Sequence, residues 1–138
     1  MPQIIWDESF SVNNKEIDDQ HKRWIDIFNN LHSNMIKGKA LQTDGLSALK
    51  AMEDYSRYHF SFEEDFMHKI GFPGLYDHRR LHSDFDDMIY SYYRKAIDGE
   101  LILNSEILSI LKGWILNHIL KEDKQYAIYF EAQKKGVS

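Results

Sequence analysis

The sequence predicts an all-α protein: an antiparallel, up-down-up-down four-helix bundle with an extended N-terminal arm and a short C-terminal helix. Three observations favour this fold. Apolar residues recur at steps of three and four along four segments, as on the buried face of a helix. The 7 glycines and 2 prolines are few and lie mostly between those segments. The length of 138 residues suits one domain with a single core, which we expect to cover residues 1–138.

The first two helices follow an arm that lacks helical periodicity. The first begins near Asn13-Asn14-Lys15-Glu16, where Asn followed three positions later by Glu resembles a capping box. The second ends at Gly71-Phe72-Pro73-Gly74, which cannot continue a helix. The predicted elements are the arm at 1–13, helices at about 14–37, 43–70, 75–97 and 105–120, and a C-terminal helix at about 123–132.

The third helix has the cleanest pattern, with alternating steps of three and four from Leu75 to Ala96. Asp98-Gly99 ends it, and Asn104 or Ser105 caps the fourth. The C-terminal segment continues through Tyr126, after a break or loosening of the helix near residue 120. Because the connections are only a few residues long, neighbouring helices are expected to run antiparallel.

Composition excludes several kinds of function. The formal net charge is -5 and no basic run exceeds two residues, so a nucleic-acid partner is not expected. The absence of cysteine excludes disulfides, zinc–thiolate sites and iron–sulfur clusters. The N-terminus does not resemble a signal peptide, and the most apolar stretch, Ile107 to Leu120, is too short and too polar to span a bilayer. We therefore expect a cytoplasmic protein with no membrane partner.

Polar residues interrupt the apolar stripes of all four helices. Burying them without partners would be costly, and no Ser, Thr or Asn network accompanies them. His59 and Glu63, like His78 and His82, are spaced i,i+4 and so point the same way, about 6 Å apart along the helix. Their number exceeds what one ion accepts, so two ions are implied. The predicted metal ligands are His21, His59, Glu63, His78, His82, His118 and Asp123.

Each ligand taken singly also fits a simpler interpretation, a hydrogen-bonded core histidine or a surface pair. Asp123 is the weakest, because it follows His118 by five positions and lies roughly 140° out of phase on an ideal helix. It faces inward only if the helix ends or loosens nearby. His68 is expected to be solvated and His32 to lie near the end of the bundle, so neither is a predicted ligand.

Four motifs resemble those of the hemerythrin family, specifically its single-domain bacterial members. They are Asp18-Asp19-Gln20-His21, Tyr58-His59-Phe60-Ser61-Phe62-Glu63-Glu64, His78-Arg79-Arg80-Leu81-His82 and Trp114-Ile115-Leu116-Asn117-His118-Ile119-Leu120-Lys121-Glu122-Asp123. The match runs from Ile5-Trp6 to about Tyr129. The order and the separations of the motifs carry the resemblance, because each motif alone is weak.

The resemblance implies a site with two iron ions. His78, His82 and His118 would hold one ion, His21 and His59 the other. Glu63 and Asp123 would bridge them beside an oxo or hydroxo group. These donors fill eleven of the roughly twelve positions of two six-coordinate ions, which leaves one position for dioxygen on the ion with two histidines. Apolar residues are implied around that position: Trp24, Phe60, Trp114, Ile115 and Ile119. Trp24 departs from the family pattern, and we hypothesise that it narrows the pocket.

The implied function is reversible dioxygen binding for storage, delivery or scavenging. Five neutral imidazoles and two carboxylates place less negative charge on the irons than the Glu-rich sites of di-iron oxygenases, so the resemblance predicts a carrier and not an enzyme. A dioxygen or redox sensor, an enzyme acting on peroxide or nitric oxide, a ferroxidase, and a zinc-binding or metal-free bundle remain alternatives. An unidentified oxygen-consuming protein is left open as a partner.

Overall fold

A computed structural model describes residues 3–36, 43–100 and 104–136. The described part contains helices and no strand, which confirms the all-α prediction. A 3-10 turn at Glu8–Phe10 precedes the first helix, and a π-helical segment at His118–Glu122 joins the last two. The α-helices are α1 at Lys15–Ile36, α2 at Thr43–Lys69, α3 at Leu75–Ile97, α4 at Ser105–Asn117 and α5 at Asp123–Lys134. The expected end of the first helix at residue 37 lies outside the described residues.

The order of contacting residues along one helix is reversed along its neighbour. The ring of His21 lies 4.7 Å from that of His59, and one turn further along α1 the indole of Trp24 donates to Ser56, one turn earlier on α2. α1 and α2 are therefore antiparallel. The same reversal relates α2 to α3 and α3 to α4, through the pairs Glu64 with Arg79, Phe60 with Phe85, His82 with His118 and Phe85 with Trp114.

Two apolar clusters fill the interior, one on each side of a polar layer. The larger contains Trp24, Phe60 and Ile119, and the smaller contains Ile17, Met67 and Tyr126. The residue between the two clusters is His21 on α1, Glu63 on α2, and Asp123 on the last rod, which consists of α4, the π-helical segment and α5. The histidines and carboxylates therefore lie within the bundle, with apolar packing above and below them.

The ends of the helices show which capping predictions were right. Asn14, and not Asn13, caps α1, because its side chain accepts from the backbone N–H of Ile17. Asn104 caps α4 by accepting from the N–H of Ile107. Gly71, with φ of 70°, ends α2 in a left-handed conformation that suits glycine.

The N-terminal arm lies along the bundle. The backbone of Ile4 is paired in both directions with the side chain of Asn29. At its other end Asp18 accepts from the hydroxyl of Ser11 and the N–H of Val12. Ile4 and Val12 are buried, so the arm covers apolar surface of α1.

The last rod is continuous from Ser105 to Lys134. α4 passes into the π-helical segment and then into α5 without a turn between them, so the sequence-based expectation of a loosened helix near residue 120 takes the form of a wider helix and not of a break. Among the described residues, no helix combines the length and the apolarity that a bilayer crossing requires.

Candidate metal centre

Seven predicted ligand side chains from every rod of the bundle converge in the polar layer. Their residues are His21, His59, Glu63, His78, His82, His118 and Asp123, all less than 5% exposed, with His78 the most accessible at 4%. They form two overlapping groups of possible metal ligands: Glu63, His78, His82, His118 and Asp123; and His21, His59, Glu63 and Asp123. Within each group the donor atoms lie within 4.8 Å of one another. The two carboxylates belong to both groups.

The group with three histidines gathers around one oxygen of each carboxylate. Oε1 of Glu63 lies 2.9 Å from Nε2 of His82 and 3.5 Å from Nε2 of His78. Oδ1 of Asp123 lies 2.9 Å from Nε2 of His78 and 3.1 Å from Nε2 of His118. The Nε2 atoms of His82 and His118 are themselves 3.0 Å apart. Three ring nitrogens and two carboxylate oxygens thus face one small volume.

The group with two histidines gathers around the remaining oxygens. Oε2 of Glu63 lies 3.4 Å from Nε2 of His21 and 3.5 Å from Nε2 of His59. Oδ2 of Asp123 lies 3.0 Å from Nε2 of His21. Each carboxylate therefore directs one oxygen to each group, which is the arrangement of a bridging ligand between two ions.

Several donor atoms in this layer are buried without a hydrogen-bond partner. They are both ring nitrogens of His21, Nε2 of His59, Oε1 of Glu63 and both oxygens of Asp123. The short contacts to His21 lack hydrogen-bond geometry and do not relieve this. Buried polar atoms are almost always paired, and leaving one unpaired costs about 1–3 kcal/mol. Two cations, one in each group, would satisfy all of these atoms except Nδ1 of His21, so the residues fit a two-metal site.

The π-helical segment explains how Asp123 reaches the site. The backbone N–H of Asp123 donates to the carbonyl of His118, five residues earlier, where an α-helix would use a residue four earlier. This wider turn brings Asp123 onto the same face as His118, and the Asp123 side chain is fully buried. The phase objection from an ideal helix is removed by the local geometry.

Three residues outside the predicted ligand set form hydrogen bonds with the ligand side chains. Nδ1 of His59 donates to Oε1 of Gln20 at 2.8 Å, and Nδ1 of His82 donates to Oε2 of Glu64 at 2.8 Å. The hydroxyl of Tyr126 donates to Oε2 of Glu63 at 2.7 Å. A bond from Nδ1 leaves Nε2 as the free lone pair, so Gln20 and Glu64 orient each ring for metal binding.

The polar residues that support the ligands are Gln, Glu and Tyr, and not the Ser, Thr or Asn whose absence the sequence indicated. Gln20 and Glu64 stand next to predicted ligands in the quoted motifs, and Tyr126 follows Asp123 by three positions. Adjacency in sequence was a usable signal for them. Adjacency in sequence does not show which atom of which ligand each residue contacts, because those partners are on other helices.

Without metal ions, the pKa values of several ligand side chains are strongly shifted from their ordinary values. Burial alone would lower the pKa of His21 and of His118, but the adjacent carboxylates of Asp123 and Glu63 stabilise the charged imidazoles and raise both pKa values to about 9. The pKa of His78 rises to about 10 for the same reason. Burial raises the pKa of the two carboxyls, and the facing histidines more than offset this, so both lie well below their ordinary values. Burial lowers the pKa of His59.

Three large aromatic residues border the ligands on the side of the larger apolar cluster. Phe60 stacks on His82 at 3.9 Å, and Trp114 stacks on His118 at 4.5 Å. Trp24 lies 5.5 Å from His59. The centroid of its ring also lies 6.4 Å from that of the His21 ring, so the indole is adjacent to both imidazoles of the two-histidine group.

The remaining predicted pocket residues, Ile115 and Ile119, are fully buried in the same cluster. The structure therefore brings all five pocket residues to the apolar side of the polar layer. Ser56, which sequence reasoning missed, accepts a 2.9 Å hydrogen bond from the indole N–H of Trp24. That bond holds the orientation of the indole.

The two histidines that were not predicted as ligands lie outside both groups. His68 is exposed in the last turn of α2. His32 lies three turns beyond His21 on α1, is only 3% exposed, and packs near Phe28 at 6.4 Å. Neither of its ring nitrogens has a hydrogen-bond partner among the described residues.

Comparison with known proteins places this geometry in context. Residues 12–128 match the family model of the hemerythrin HHE cation-binding domain. The chain is 30% identical over 128 residues to a bacteriohemerythrin of Stenotrophomonas maltophilia, covering 92% of this chain and 81% of the relative. It is 31% identical over 121 residues to a hemerythrin-like protein of Naegleria gruberi, covering 88% of each.

Solved structures agree with the sequence relatives. A crystal structure of wild-type hemerythrin superposes with a TM-score of 0.85 at 30% identity, covering 91% of this chain and 96% of that one. A point mutant of hemerythrin gives a TM-score of 0.86, covering 92% of this chain and 96% of that one. The likeness therefore extends over nearly the whole bundle and is not confined to the motifs.

Proposed function

The chain belongs to the hemerythrin family, and we propose that it binds dioxygen reversibly at two non-haem iron ions. Family membership and the buried histidine and carboxylate cluster make it a non-haem iron protein that binds oxygen. The pairing of the irons and the reversibility are the proposal. One observation carries it: Glu63 and Asp123 each direct one oxygen to a three-histidine group and the other to a two-histidine group.

Each ion would be held by the residues that lie together in one of the two groups. His78, His82 and His118 would hold one iron together with Oε1 of Glu63 and Oδ1 of Asp123. The second iron would take His21 and His59 with the other two oxygens. Imidazole nitrogen and carboxylate oxygen are donors that iron accepts.

The unequal division supports dioxygen binding on one side. The two-histidine group offers one protein donor fewer than the three-histidine group, so a ligand from outside would bind there. Trp24 borders that group and would exclude water from it. Two ferrous ions would supply the open coordination position and, with one electron from each ion, the electrons that dioxygen binding requires.

The surroundings of the site support reversible binding. The ligand layer is buried between apolar clusters, and the only other ionisable side chains in direct hydrogen bonds with the seven ligands, among the described residues, are Glu64 and Tyr126. Glu64 accepts a hydrogen bond from Nδ1 of His82, and burial raises the pKa of Tyr126 well above its ordinary value. Neither offers a ready proton for irreversible reduction of bound oxygen.

Metal analysis and spectroscopy of iron-loaded protein test the proposal. We expect two irons per chain and a visible absorption band that appears when the reduced protein meets air and disappears on deoxygenation. His59→Ala should remove that response. His68→Ala is the matched control, since His68 is on the same helix but exposed. One iron per fully loaded chain, or rapid turnover of peroxide or nitric oxide in place of reversible binding, would contradict the proposal.

A further inference from the structure

A groove between α2 and α3 passes close to the metal centre from outside. It has a volume of about 560 Å³, and Phe60 and the ligand His82 form part of its wall. The other lining residues that matter here are Arg57, Ser61, Arg79, Arg80, Ser83 and Asp86. The proposed function does not use these residues.

Three guanidinium groups in one groove are unusual for this chain, whose net charge is -5. Arg79 bonds to Glu64 at 3.1 Å, and Arg57 has a long contact of 3.5 Å with Glu53. Arg80 is exposed and forms no ion pair within the described ranges. The planar, doubly donating guanidinium group suits the oxygens of phosphate, and the hydroxyls of Ser61 and Ser83 add donors.

Asp86 carries a second and independent signal. Its Oδ1 is buried and has no hydrogen-bond partner among the described residues, and burial raises the pKa of this carboxyl above its ordinary value. Asp86 also lines the groove, where a carboxylate repels an anion unless that anion donates a hydrogen bond to it. The groove therefore favours an anion that also carries a proton.

We propose that this groove binds a small phosphate-bearing anion. Its oxygens would accept from Arg80, Arg79 and the serine hydroxyls, and its P–OH would donate to Asp86. Sulfate has the same shape but carries no proton near neutral pH, so Asp86 would discriminate against it. The volume admits inorganic phosphate and also a phosphate monoester with an organic group, for which the exposed ring of Tyr76 offers a stacking surface.

The groove is connected to the metal centre by a chain of two contacts. Arg79 donates to Oε1 of Glu64, and Oε2 of Glu64 accepts from Nδ1 of His82. An anion that draws Arg79 away leaves more negative charge on Glu64, which makes His82 a stronger donor to a metal. Phosphate should therefore alter the iron spectrum; this second step rests on the proposed function.

Calorimetric titration of iron-loaded protein with inorganic phosphate, sulfate and adenosine monophosphate tests the site. We expect phosphate to bind and sulfate to bind at least tenfold more weakly. Arg80→Gln should weaken phosphate binding about tenfold through loss of a charge-assisted contact. Arg94→Gln is the matched control, because Arg94 is also an exposed arginine of α3 but pairs with Asp98 at the other end of the helix. Tighter binding of the nucleotide than of phosphate identifies a monoester as the ligand.

Asp86→Asn separates the proposal from simple attraction to arginine. The variant should lose the preference for phosphate over sulfate while still binding anions. No phosphate binding, or equal binding of the two anions in the unmodified protein, overturns the proposal. Phosphate binding without a change in the iron spectrum overturns the connection through Glu64. Because calorimetry does not depend on dioxygen chemistry, failure of phosphate binding leaves the proposed function standing, and loss of the dioxygen response leaves a measured anion site standing.

Discussion

The hydroxyl of Tyr126 donates a 2.7 Å hydrogen bond to Oε2 of Glu63, across 63 residues of sequence and between two fully buried side chains. Oε2 is the carboxylate oxygen that faces His21 and His59. Tyr126 therefore withdraws charge from the same oxygen that would bind the ion of the two-histidine group. This contact joins the smaller apolar cluster to the metal centre.

Tyr126→Phe removes this hydrogen bond and keeps the ring. The metal-free protein should lose about 1–3 kcal/mol of stability, because a buried acceptor loses its donor. In the iron-loaded protein Glu63 should become a stronger donor and favour ferric iron, so autoxidation should accelerate. Urea unfolding and the decay of the oxygenated spectrum measure the two effects. Tyr129→Phe, whose exposed hydroxyl donates to the carbonyl of Gly71, is the control; equal autoxidation in both variants would refute the role of Tyr126.

Gln20→Ala should weaken one metal position selectively. His59 would lose the partner that keeps its proton on Nδ1, and removal of such a supporting contact typically lowers metal affinity 10–100-fold. We expect one iron to be removed by a chelator well before the other. Gln125→Ala, at an exposed amide on α5, should leave both irons unaffected. Simultaneous loss of both irons from Gln20→Ala would count against two separate groups.

Trp24→Leu tests whether the indole narrows the ligand pocket. The ring contacts both imidazoles of the two-histidine group, so a smaller side chain should speed dioxygen association and autoxidation. The stability cost should stay below the roughly 3–5 kcal/mol of a full truncation to alanine. Stopped-flow mixing with dioxygen measures the rates. Trp6→Leu, in the N-terminal arm beside Phe10, is the control, and rates unchanged by Trp24→Leu would end the hypothesis.

The stability of the metal-free protein should fall as pH rises. The pKa values of His21 and His118 are raised to about 9 and that of His78 to about 10, above the unfolded value of about 6.5. The stabilisation is complete below the unfolded pKa and is lost as pH rises through the folded values. Urea unfolding between about pH 6.5 and 10 measures the decline. Stability that rises across this range would contradict it.

Iron loading should release protons for the same reason. At neutral pH the three histidines with raised pKa values hold protons that a metal must displace. Titration of metal-free protein with ferrous iron in a weak buffer should therefore acidify the solution. The iron-loaded protein should also lack the decline in stability above pH 6.5.

Deletion of Leu120 tests the role of the π-helical segment. With one residue fewer, His118 and Asp123 would be four positions apart, the spacing at which side chains share a face of an α-helix. Two irons per chain should be retained. Insertion of one alanine after Leu120 should instead turn Asp123 away and reduce iron to one per chain or less. Leu120 is 41% exposed, so core packing is not the reason for either result.

Much of the fold, and the convergence of most of the predicted ligand side chains, was predictable because both depend on local periodicity. A helix places side chains by position in the chain, so the i,i+4 pairs His59 with Glu63 and His78 with His82 share a face in any bundle. The helix bounds predicted from the sequence differ from the observed ones mainly near residue 120. There a break or a loosening of the helix was expected, and the π-helical turn from His118 to Glu122 loosens the helix without a break.

The amino-acid sequence by itself determined that five histidines and Glu63 lie on the inner faces of four helices, because periodicity and burial cost are properties of each segment. The inward position of Asp123 depends on the π-helical turn. Only the tertiary structure decided which oxygen of Glu63 and of Asp123 faces which histidines, and that Gln20, Glu64 and Tyr126 support them. Those relationships join residues on different helices. They depend on how far apart and at what rotation the helices pack, which no single segment encodes.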